Sequence, residues 1–119
     1  MAASTLADVI STARPDTPAV VAGSDVWTYA DLARESERLA AQLRGVGAGR
    51  ESVVALELSS SPRFIAAAVA CSLVEAAFMP MDLKDPQARR DQMTRVARPA
   101  AVVTETEIRP VAGSERLAA

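Results

Sequence analysis

Apolar positions along this chain change their spacing several times, and each change marks an element. Leu6, Val9 and Ile10 recur at helical spacing over residues 6–13, and Pro15 and Pro18 stop that helix. Residues 19–22 form a short apolar run. Gly23, Ser24 and Asp25 then read as a turn, and residues 26–28 return, so the spacing predicts a hairpin. Thr28 opens the next helix, with Asp31 three residues on as the acid of a capping box. Leu32, Ser36, Leu39 and Leu43 share one face of that helix. Arg34, Glu35, Arg38 and Gln42 take the other, and Gly45, Gly47 and Gly49 end it.

Residues 53–58 are apolar except for Glu57, the pattern of a strand covered on both faces. Ser61 as cap and Pro62 at the first helical position start another helix. Residues 63–75 are apolar nearly all round, so this helix is expected to be buried on more than one side. Residues 77–81 read as a strand, with Pro80 at its end or on a sheet edge. Pro86 opens a charged helix that runs to about Arg98, Pro99 stops it, and residues 100–104 make a last strand. After the hairpin the order is helix, strand, helix, strand, helix, strand. That alternation predicts an α/β fold with a parallel sheet and helices on its faces. Residues 105–119 are weakly patterned and read as a tail that ends with no stop signal, as if inside an element.

Composition narrows the chemistry. The 119 residues suit one domain, and half of them are hydrophobic. Trp27, Tyr29, Phe64 and Phe78 are the only aromatics, so the core must be built from Ala, Val, Leu, Ile and Met. The net charge is −2 with acids and bases interspersed, whereas nucleic-acid binding needs a clustered basic face. The absence of histidine excludes His-based general acid–base chemistry, His-containing triads and most zinc sites. Cys71 is the single cysteine, so no internal disulfide can form, and a reduced, cytoplasmic protein is expected. The N-terminus lacks the design of a signal peptide, and the most apolar stretch, residues 64–74, is too short to span a bilayer.

Several motifs occur in a familiar order. Trp27-Thr28-Tyr29-Ala30-Asp31-Leu32 resembles the first core motif of the adenylation domains of nonribosomal peptide synthetases. Arg38-Leu39-Ala40 resembles a further family segment. The glycines at 45, 47 and 49 leading into Val53-Val54-Ala55 resemble the family's turn into a strand, and Ser61-Pro62 its next helix start. Ala76-Ala77-Phe78-Met79-Pro80-Met81-Asp82 resembles the second core motif, and Pro86 with Arg89 a Pro-x-x-Arg that follows it. The stretch from Pro80 to Arg89 is closer to the peptide-synthetase branch than to the related acyl-CoA ligases. The resemblance covers about residues 18–104. It implies that residues 1–104 are part of the N-terminal subdomain of an adenylate-forming enzyme, a Rossmann-like portion of that fold, truncated. Thr28, Tyr29, Leu32, Pro80, Asp82, Pro86 and Arg89 are then structural members of the family motifs.

Two departures stand out. Glu75 occupies a position where the family has glycine, a residue suited to close packing or a positive φ. The Ser/Thr/Gly-rich phosphate loop that ends in Lys-Gly has no counterpart, nor do the family's later motifs. Adenylation joins two anions, a carboxylate and the α-phosphate of ATP, and needs that loop, a lysine and Mg²⁺ to neutralise and align them. No catalytic, cofactor-binding or metal residue is therefore assigned, and ATP and Mg²⁺ are expected only if a partner completes the site. The glycines at 45–49 follow a helix and precede a strand, so they read as a cap and turn. Lys84 reads as a solvated loop lysine, Asp82 and Asp85 as turn and cap residues, and Cys71 as a small buried hydrophobe. Met79, Met81 and Met93 read as core or contact residues. Glu57 needs a partner or an opening to solvent.

The functional expectation is a truncated adenylation-domain homologue, inactive alone and acting through association, as a homodimer or higher oligomer. Phe64, Ile65 and Val69 are its interface candidates. Alternatives are a subunit that completes an adenylating enzyme in trans, a non-catalytic module that binds a second adenylation domain or synthetase, and a piece of a larger synthetase. No nucleic-acid or membrane partner is expected.

Overall fold

Backbone chemistry at the helix ends explains much of the architecture. The computed structural model describes residues 14–111, so the helix expected over residues 6–13 lies outside the described residues. Pro18–Ala22 (β1) and Asp25–Thr28 (β2) pair antiparallel, turning at Gly23, whose φ of 60° suits glycine. Thr28 then caps helix α1, Tyr29–Gly45. The Asp31 N–H donates to Thr28 Oγ1 at 3.1 Å, and the Thr28 N–H donates to Asp31 Oδ2 at 2.9 Å, the full capping box. Leu32, Ser36, Leu39, Ala40 and Leu43 are buried, so the face read from the sequence is the packed one.

The helix ends in a Schellman motif. The Ala48 N–H reaches the Leu43 carbonyl at 2.9 Å, the Gly47 N–H reaches that of Arg44 at 3.1 Å, and Gly47 has φ 88°. Strand β3, Val53–Leu56, follows. Helix α2, Pro62–Leu73, starts at Ser61, whose Oγ accepts from the Phe64 N–H at 3.2 Å. It ends in the same motif as α1. The Ala76 N–H reaches the Cys71 carbonyl at 2.9 Å and the Glu75 N–H that of Ser72 at 3.1 Å. Here the left-handed position is Glu75, at φ 64°. That conformation is the physical reason a glycine suits this place. The Glu75 side chain is exposed and pairs with Arg50 at 2.7 Å.

The remaining elements are β4 (Ala77–Pro80), α3 (Gln87–Ala97), β5 (Ala101–Val103) and β6 (Ile108–Pro110). The sheet order is β4-β3-β5-β6, with β3 parallel to both β4 and β5. Pro80 closes an edge strand, as expected. Chain direction decides where the helices lie. The β3-to-β4 crossover runs one way along the sheet, and the β4-to-β5 crossover runs back past β3. Right-handed crossovers in opposite directions place their helices on opposite faces. The packing agrees. Val54, Leu56, Ala101 and Val103 face the large core formed with α1 and α2, and the half-buried Val20 and Trp27 of the hairpin pack against it. Ala55 and Val102 face the other way, beneath Met81, with Met79, Met93 of α3 and Val111 against them.

The sheet continues past the expected end at residue 104. Residues 108–110 form β6, antiparallel to β5, so the sheet is mixed and the segment beginning at 105 is not wholly a tail. Ile108 is the one β6 side chain packed toward the large core, too little pattern to announce a strand. Strand β3 ends at Leu56, two residues short of the apolar run, although the Glu57 N–H still reaches the Val103 carbonyl at 2.9 Å. Among the described residues no helix is long and apolar enough to cross a membrane.

Candidate functional site

In parallel α/β sheets, ligands bind beyond the carboxyl ends of the strands, where successive crossovers leave toward opposite faces. In this fold β3 leads to α2 on one face and β4 leads to α3 on the other. The loops that start at Glu57, Met81 and Thr104 therefore form the candidate site.

Charged groups there are matched with one another. Glu57, at the end of β3, pairs with Arg90 of α3 at 3.6 Å, both side chains being largely buried. Arg90 Nε also donates to the Asp85 carbonyl at 3.3 Å. The sequence leaves Glu57 either a partner or an opening to solvent, and Arg90 is a partner. Asp82 Oδ1 accepts from the Lys84 N–H at 2.8 Å, an Asx turn, while Lys84 itself lies exposed in the loop. Asp85 pairs with Arg89 at 3.5 Å instead of capping α3, whose N-cap residue is Pro86 and which has no side-chain cap.

In the β5–β6 turn, Glu105 clasps the loop before α2. One carboxylate oxygen accepts from the Ser59 N–H at 2.8 Å and from its hydroxyl at 2.9 Å. The bond from the Ser59 backbone, then that from its hydroxyl, holds the Glu105 carboxyl below its ordinary range. Arg63 Nε donates to the Thr104 carbonyl at 2.8 Å, and Arg63 lies 3.9 Å from Glu35 of α1. These contacts tie α1, α2 and the β5–β6 turn together. Their geometry is that of a clasp between loops.

The glycine-rich turn is equally committed. N–H groups of Val46, Gly47 and Ala48 all donate to α1 carbonyls, and the Gly49 N–H donates to Ser52 Oγ at 3.1 Å. Four consecutive donors that could have cradled a phosphate are bound to the chain itself, which agrees with the cap-and-turn reading. Cys71 is buried, and burial pushes its thiol up to about 12, so it behaves as a small hydrophobe. Among the described residues no group of three or more His, Cys, Asp or Glu could hold a metal ion.

The family-motif residues have structural surroundings. Thr28 is the α1 cap, and the Tyr29 N–H donates to the Thr17 carbonyl at 3.0 Å. Leu32 is core, Pro80 ends β4, Asp82 makes the Asx turn, Pro86 starts α3, and Arg89 holds Asp85. The interface candidates divide. Ile65 is 39% exposed and Phe64 is half-buried against the core. Val69 is only 2% exposed and cannot form a surface, because its turn of α2 lies within the core.

The most exposed large apolar side chain among the described residues is Val96 of α3, at 78%. It borders a groove of about 360 Å³ with Met79, Met93 and Ala97, rimmed by Arg89 and Gln92. Arg89, Gln92, Met93 and Val96 recur at three- and four-residue spacing, a stripe too weak within a charged helix to stand out in the sequence. Val21 and Val26, paired across the hairpin, form a second exposed apolar spot.

Comparisons with known proteins give one answer. Residues 8–119 match the AMP-binding enzyme family. The chain is 36% identical over 111 residues to a probable non-canonical nonribosomal peptide synthetase, CymA, of Salinispora arenicola (strain CNS-205), covering 91% of this chain and 1% of that protein. The solved structure of IdnL1 superimposes with a TM-score of 0.76 at 30% identity, over 83% of this chain and 21% of that one. The N-terminal subdomain of Klebsiella oxytoca NpsA, solved with 3-hydroxyanthranilyl-AMSN, matches in fold with a TM-score of 0.74 at 23% identity, over 83% of this chain and 25% of that one. The chain thus spans a small part of the length of these relatives. With its motifs in family order on a matching fold, it belongs to the AMP-binding enzymes, as the first part of an adenylation domain of the nonribosomal peptide synthetase type.

Proposed function

We propose that these 119 residues supply one structural layer of an amino-acid-activating adenylation domain in secondary-metabolite biosynthesis, and that they do not activate an amino acid by themselves. The observation that carries this reading is the commitment of the glycine turn. Its N–H groups at 46–49 are all bound within the chain, so the backbone offers no cradle for phosphates there. Lys84, the only lysine, lies exposed in a loop whose backbone N–H at that residue is already bound to Asp82. Activity then arises when the ATP-binding remainder is present, in the same polypeptide or in a second one. ATP and Mg²⁺ bind that completed unit. A reducing, cytoplasmic setting is part of the same proposal, supported by the single cysteine of the chain.

Association is the second part of the proposal. Exposed apolar side chains on α3, on the hairpin and at Ile65 favour contact with another protein surface, a second copy or a complementary adenylating polypeptide. Calorimetric titration of MgATP into the isolated chain is expected to give no binding heat. Saturable micromolar binding would overturn the reading. Light scattering reports the association directly: an oligomer or a stoichiometric complex supports it, and a monodisperse monomer that ignores every adenylating partner counts against it.

A further inference from the structure

We draw no further inference here: the strongest candidate, the apolar groove between β4 and α3 lined by Met79, Met93, Val96 and Ala97, has nothing in the structure to show what covers it.

Discussion

Glycine at position 75 should make this protein more stable than alanine there. Glu75 is the left-handed residue of the Schellman motif that ends α2, at φ 64°. A side chain with a Cβ is disfavoured there by roughly 1–2 kcal/mol, a cost glycine avoids. Glycine also has more freedom to lose on folding, which returns roughly 0.5–1 kcal/mol of the gain. The Arg50–Glu75 ion pair is exposed on both sides and contributes about 0–1 kcal/mol. The cleanest comparison is therefore Glu75→Ala against Glu75→Gly, because both lose the ion pair and only alanine keeps the Cβ. Glycine should exceed alanine by about 0.5–1 kcal/mol, or a few degrees in Tm for a domain of this size. Urea unfolding followed by Trp27 fluorescence, with Arg50→Ala as the control for the pair, measures it. An alanine variant as stable as the glycine variant would refute the argument that backbone conformation governs this position.

Other consequences follow from single groups. Ser36 is 1% exposed and its hydroxyl has no hydrogen-bond partner among the described residues, so Ser36→Ala removes a buried group unsatisfied there and improves helix propensity. Its denaturation midpoint should rise by the equivalent of about 1 kcal/mol, and a fall would show that the hydroxyl has an undetected role. The Glu105 carboxyl is held below its ordinary value of 4.5, so its contribution is complete above that pH and is lost as pH falls through the lowered value. Asp31, lowered first by its bond from the Thr28 backbone, adds to the loss over a similar range. Stability should fall on acidification below about pH 4.5, and Glu105→Gln should flatten that fall, whereas an unchanged profile would rule out the clasp. With its thiol pushed up to about 12 and buried, Cys71 should resist a thiol reagent at pH 8 in the native protein and react after unfolding in guanidinium. Rapid native labelling would contradict its place in the core.

Elements with local chemistry were legible in the sequence. Thr28 with Asp31 and Ser61 with Pro62 mark helix starts through hydrogen bonds that span three residues, so the residues alone specify them. The alternation of strands and helices gave the α/β fold for the same reason. Properties that depend on distant packing were hidden. Helix α2 is apolar nearly all round, so periodicity could not tell that Ile65 faces solvent and Val69 the core. Strand β6 has one inward apolar side chain and is made a strand by β5 beside it. The positive φ of Glu75 was legible only as a departure from a family glycine. At the candidate site, the need of Glu57 for a partner was visible. That the partner would be Arg90, 33 residues away across the sheet, required the fold.

Amino-acid-dependent ATP–pyrophosphate exchange tests the central claim most directly, measured on the purified chain alone and again with a polypeptide carrying the phosphate loop and the rest of an adenylation domain. No exchange by the chain alone and a gain on mixing is the predicted result. Exchange by the isolated 119 residues above a no-enzyme control would contradict it, because these residues would then hold and align ATP with groups assigned here to the fold.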